Sequence, residues 1–259
     1  MKLFFRNFGS GRPLIILHGL LGMSDNWVTL GKKLAENYTV YLPDLRNHGQ
    51  STHSMEFSYE AMANDLLEFI RDHQIENPVL AGHSMGGKVA MLFALNHPEL
   101  IIGLIVVDIS PVAYDNHDYH FDIVSAMMSV NMNAVHTREE VSEVLERSIP
   151  DEVTRLFIMK NLHRKAAHQF EWRINLNAIS ENLSKMVGST ASDKIFNKPA
   201  IFIRGSESDY ILEDHIPLIK KMFPRAEVIT IKGAGHWIHA EKPQETLEAF
   251  SSFLHQFQS

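Results

Sequence analysis

The 259-residue chain contains no cysteine. That excludes a disulfide framework, a thiolate metal site and a cysteine nucleophile. No run approaches the roughly 18 consecutive apolar residues of a membrane-spanning helix. The N-terminal MKLFFRNFGSGRP has neither the long apolar segment nor the small-residue cleavage site of a secretory leader. Positive charge is scarce too: 24 Lys and Arg against 31 Asp and Glu give a formal net charge of −7. The basic residues are scattered, so neither nucleic acid nor an anionic membrane surface is expected as a partner. These absences predict a cytoplasmic protein.

Histidine, by contrast, is abundant at 15 residues. No HExxH occurs, and no close pair is joined by a well-placed carboxylate on a helix. His236 and His239 are three apart, but a glycine-rich run precedes them and Pro243 follows soon after. No metal is expected, and no other cofactor.

The apolar fraction is 45%, enough for one large core. Strand-length apolar runs alternate with amphipathic segments. Strands are expected at 3–8, 13–19, 38–44, 78–82, 103–108, 199–205 and 227–233. Helices are expected at 25–36, at 58–73 opened by Ser58, at 85–96, and at 243–257 started by Pro243. This alternation predicts an α/β fold: a mostly parallel sheet with helices on both faces. From 115 to 195 the rhythm breaks into helical stretches at 120–130, 138–147, 151–160 and 174–186, with no convincing strand. The segment exceeds an ordinary crossover, so residues 1–114 and 196–259 are read as the core and 115–195 as a helical cap inserted before the last two strands.

Ligands of such sheets bind at the carboxyl ends of the strands. There the chain reads VLAGHSMGGKVAM, residues 79–91. A serine at so sharp a strand-to-helix turn needs small neighbours two residues either side, which explains Gly82 and Gly86. The turn places the Ser84 Oγ at a helix N-terminus, where free N–H groups favour negative charge. The competing reading is a plain glycine-rich turn.

Serine is a poor nucleophile without a base. His236, in the loop after the last strand and flanked by Gly233 and Gly235, is the candidate; His239 reads better as a packing residue. Two strand-end carboxylates, Asp108 and Asp209, satisfy the order serine, acid, histidine, with Glu207 a lesser third. Spacing does not separate them. Oxyanion donors are expected from the N–H of Met85 and, in the loop His18-Gly19-Leu20-Leu21-Gly22, the N–H of Leu20. The His18 side chain reads as structural.

These residues together resemble the α/β-hydrolase fold superfamily, across essentially the whole chain. The matching pieces are HGLLG (18–22), DLRNHGQS (44–51), GHSMGG (82–87) and GAGHWIHAEKP (233–243). Asp44, Arg46, Gly49 and Ser51 read as a structural turn. DLRNHG, GHSMGGK, VDISPVAY and GHWIHAEKP are most similar to the YbfF-type esterases. That resemblance implies a triad of Ser84, His236 and Asp108, with Asp209 the alternative acid. It also implies a helical cap and hydrolysis of small-molecule carboxylic esters, including acyl-CoA thioesters.

The cap is rich in methionine and aromatic residues, which suit flexible acyl chains or the cap's own packing. Met127, Trp172 and, beside the base, Trp237 are the expected substrate contacts. Arg164, Lys165 and Arg173 are candidates for an anionic group, though such charges are more often solvated. A dehalogenase would carry a carboxylate at position 84. A C–C bond hydrolase, a synthase or a non-catalytic ligand-binding protein on the same scaffold stays open; repeated turnover of a p-nitrophenyl ester separates the last from an enzyme.

Overall fold

The structure, a computed structural model, describes residues 1–114, 118–166 and 169–257. In chain order the elements are β1 (Phe5–Phe8), β2 (Arg12–Leu17), α1 (Val28–Leu34), β3 (Tyr38–Pro43), α2 (Tyr59–Asp72), β4 (Val79–His83), α3 (Met85–Asn96) and β5 (Gly103–Val107). Then come α4 (Asp118–Ser129), α5 (Arg138–Glu146), α6 (Glu152–Met159), β6 (Leu162–Ala166), β7 (Gln169–Trp172) and α7 (Leu176–Met186). The chain closes with β8 (Ala200–Gly205), α8 (Ile216–Met222), β9 (Ala226–Ile231), α9 (Ile238–Glu241) and α10 (Pro243–His255).

Seven strands form one sheet in the order β1-β3-β2-β4-β5-β8-β9. β1 pairs antiparallel with β3, and the remaining pairings are parallel. The central β4 and β5 are buried along their whole length, which is why they read as unbroken apolar runs. Alternation along β2 sends Leu14 and Ile16 to one face, where they pack with Trp27, Leu30 and Phe250. Ile15 and Leu17 face the other side, with Leu66, Phe69 and Phe93. The expected doubly covered sheet is therefore present.

Between β5 and β8 the chain carries α4 to α7 and crosses the carboxyl ends of the strands. The Asn161 side chain donates to Leu21 O at 2.8 Å, and Asn175 N–H to Asn47 O at 2.9 Å. The expected capping box is formed: Thr137 accepts from the Glu140 N–H ahead of α5. Two expectations need correction. The segment is not purely helical, because β6 and β7 form an antiparallel hairpin. The hairpin's strands (LHRKA, QFEW) bury only Leu162 and Phe170 and carry polar or exposed residues between them, so no apolar run announces them. The helix α8, between β8 and β9, also went unread; it is seven residues long with a proline in its first turn. The expected start of the cap, residues 115–117, lies outside the described residues. No helix among the described residues is long and apolar enough to cross a membrane.

Candidate active site

Ser84 sits between β4 and α3 at φ 51° and ψ −119°, a conformation that side chains rarely adopt. Neighbouring glycines make it possible. A Cβ at Gly82 would lie 2.2 Å from Gly86 O, and one at Gly86 would lie 2.5 Å from His18 O. The turn is held by Ser84 N–H donating to Val107 O at 3.0 Å and Lys88 N–H donating to Ser84 O at 3.1 Å.

Ser84 Oγ lies 3.0 Å from His236 Nε2. On the other side of that ring, Nδ1 lies 2.7 Å from Asp108 Oδ2. The carboxylate as acceptor assigns the proton to Nδ1 and leaves the Nε2 lone pair facing the serine hydroxyl. Burial holds the His236 imidazole below its ordinary pKa, so the ring is neutral near pH 7. Asp108 follows β5 at φ 50° and is fully buried. Burial pushes its carboxyl up, while hydrogen bonds from the Ser208 hydroxyl and the Gly205 N–H pull the other way.

The structure thus brings Ser84, His236 and Asp108 into one chain of hydrogen bonds. Asp209 is exposed at the cavity rim and makes no hydrogen bond to His236 among the described residues. Glu207 lines the same rim. His239 stacks on Trp27, ring centroids 4.3 Å apart, on the packing side of the loop.

Met85 is the first residue of the 12-residue α3. Its N–H and that of Leu20 donate to no acceptor among the described residues, and both residues border the cavity over Ser84. The Leu20 loop is pinned on both sides. Gly22 N–H donates to Gly19 O at 3.0 Å, and Leu21 N–H to His48 Nε2 at 3.2 Å. His18 holds the loop's base: its Nε2 accepts from Leu45 N–H at 2.9 Å, and its Nδ1–H donates to Gly19 O at 2.8 Å. Asp44 accepts from the N–H groups of Ser24 and Gln50 and fills the space a Cβ at Gly49 would need, consistent with a structural turn.

The cavity has a volume of about 370 Å³. The core supplies Leu20, Met85, Ile109 and Trp237, and the cap segment Tyr119, His120, Leu183 and Met186. Trp237 therefore stands where expected. Met127 does not. It is fully buried in the packing of α4 and outside the cavity wall. Trp172 also points elsewhere, its Nε1–H donating to Met127 O at 3.1 Å. Both were legible as apolar, but the rotation of α4 about its axis and the placement of the β6–β7 hairpin decide which apolar side chains line a cavity. Arg164, Lys165 and Arg173 lie outside it too; Lys165 pairs with Glu171 at 3.3 Å and Arg173 donates to His163 Nδ1 at 2.8 Å.

Four residues around the site escaped sequence reasoning. The Ser208 hydroxyl donates to Asp108, and His83 Nε2–H donates to His236 O at 2.9 Å, fixing the loop that carries the base. Tyr210 stacks on the His236 ring at 3.9 Å, and His120 Nε2 lies 3.2 Å from the Tyr210 hydroxyl. For Ser208, His83 and Tyr210 only their places beside the candidate residues, in GHS and SESDY, were available as signals; His120, on α4, had none. Among the described residues no three His, Asp or Glu side chains cluster so as to hold a metal ion.

The family model for the alpha/beta hydrolase fold matches residues 12–243. The sn-1-specific diacylglycerol lipase ABHD11 of Danio rerio is 37% identical over 96% of this chain and 80% of its own. Esterase YbfF of Escherichia coli is 32% identical over 96% of this chain and 95% of its own. A solved marine microorganism esterase superposes with a TM-score of 0.95 at 43% identity, covering 98% of this chain and 99% of the other.

Proposed function

The chain belongs to the α/β-hydrolase fold family, and from that premise we propose that it hydrolyses carboxylic esters through an acyl-serine intermediate. The observation that carries the reading is the continuous bridge from Ser84 Oγ through His236 to Asp108, with steps of 3.0 and 2.7 Å. His236 Nε2 takes the serine proton as Oγ attacks the ester carbonyl. The free N–H groups of Leu20 and Met85 receive the oxyanion, helped by the N-terminal end of the α3 dipole. Asp108 holds the imidazole tautomer and stabilises the imidazolium. That imidazolium protonates the leaving alkoxide. Water, deprotonated by the same nitrogen, then releases the acid and restores the serine.

The substrate is a small molecule whose acyl chain fits a cavity of about 370 Å³ walled by Leu20, Leu183 and Met186. The cleavage step is the same for an oxygen ester and an acyl-CoA thioester, and both belong to the proposed range. The reading is tested by steady-state assay on p-nitrophenyl esters. Ser84→Ala should lower kcat by about 10⁴-fold or more and leave the Tm near that of the parent, since alanine keeps the backbone conformation. Wild-type-like turnover in that variant removes Ser84 as nucleophile.

A further inference from the structure

The chain crosses from core to cap once, near residues 110–114, and returns once, near 186–190. The two crossings run side by side as a neck. Tyr114 N–H donates to Val187 O at 2.9 Å, and Thr190 N–H to Pro111 O at 2.9 Å. Between these two bonds the carbonyls of Val112 and Gly188 face the core. Neither accepts a backbone hydrogen bond among the described residues. Both are taken by one group, the Lys88 ammonium, at 2.9 Å and 2.5 Å.

Lys88 lies on α3, one helical turn after Ser84, and is wholly buried. No carboxylate pairs with it among the described residues. An uncompensated buried ammonium is unfavourable unless its protons are satisfied. Here two go to the neck carbonyls, and the charge lies over the Tyr114 ring at 4.9 Å and the Tyr59 ring at 5.7 Å. Tyr59 adds a second tie, its hydroxyl donating to Met186 O at 2.5 Å. Tyr59, Tyr114, Met186 and Val187 all line the cavity, so the neck is also part of its wall.

We propose that Lys88 is a positioning residue that clasps both crossings of the cap to the nucleophile's helix and so sets how deep an acyl chain the cavity admits. The consequence for acyl chains rests on the hydrolase reading; the clasp itself does not. With the ammonium present, Val112 and Gly188 are held at fixed distance from Ser84. Without it, the two carbonyls must find water or other donors, and the neck opens.

The test uses the full chain with Lys88→Met, which keeps an unbranched side chain one atom shorter and removes its charge and donors. Hydrogen exchange at the Tyr114 and Thr190 amides should accelerate by about 10-fold or more over exchange in α10. On p-nitrophenyl esters, KM for octanoate should rise by about 10-fold while kcat changes by less than about two-fold, and the preference among acyl lengths should flatten. Should Lys88→Met not fold, Lys88→Gln, which retains a neutral NH2 donor group on a shorter side chain, is read instead and should give the same changes at smaller size. Unchanged exchange at the neck, or a lowered Tm with unaltered chain-length preference, overturns the proposal. Absence of any ester turnover in the wild type removes the hydrolase reading, while the exchange measurement still decides the clasp.

Discussion

Asp108 and Asp209 both end strands and both precede His236, yet their surroundings differ completely. Asp108 is fully buried, takes hydrogen bonds from Gly205 and Ser208, and meets His236 Nδ1 at 2.7 Å. Asp209 stands in solvent at the rim. Replacing the buried carboxylate by an amide leaves its size intact but removes the acceptor that sets the imidazole tautomer. Asp108→Asn should therefore lower kcat/KM by about 10³- to 10⁴-fold, and Asp209→Asn by less than about 10-fold. Steady-state kinetics on one short-chain ester compares them directly; the reverse order would transfer the role to Asp209. The sequence left this choice open because the decisive contact joins residues 128 positions apart.

At the scale of the element, the strand–serine–helix turn was readable because its requirement is local. Gly82, Ser84 and Gly86 lie within five residues, and backbone crowding explains each of them. A methyl at position 86 would approach the carbonyls of His18 and Leu17 at 2.5 and 2.7 Å, and backbone atoms cannot move aside cheaply. Gly86→Ala should destabilise the fold by about 2 kcal/mol or more, despite alanine's better helix propensity. Urea unfolding monitored by circular dichroism measures this, and a midpoint equal to that of the parent would mean the β2 loop yields. The β6–β7 hairpin illustrates the opposite case. Its strands pair only with each other and bury only Leu162 and Phe170, so apolar periodicity has little to report.

Over the whole molecule, the histidines form a pH-dependent term. Burial pulls His18 down to about 4 and His48 to about 3, and holds His83 and His239 well below the ordinary value. In the unfolded chain each titrates near 6.5. Below that pH the unfolded state binds protons that the folded state refuses, so stability present above about 6.5 is lost as the pH falls. Each such group contributes a slope of up to about 1.4 kcal/mol per pH unit. His120 and His236 are lowered by burial in the same way, so Asp108, raised by burial, acts in the opposite sense as one group against six. The Tm should fall steadily from pH 6.5 towards pH 4, and thermal melts across that interval check it. A flat Tm would mean the rings take up protons without leaving their hydrogen bonds.

The sequence by itself determined the α/β alternation, the tight turn at Ser84, the glycine-flanked loop of His236 and the glycine-bounded loop at 18–22. All of these follow from periodicity and steric rules that act within a few residues. Only the tertiary structure decided which carboxylate meets the imidazole, which face of α4 turns away from the cavity, and that one lysine spans both crossings of the cap. Those outcomes depend on distances between segments far apart in the chain, and such distances are set by how whole elements pack.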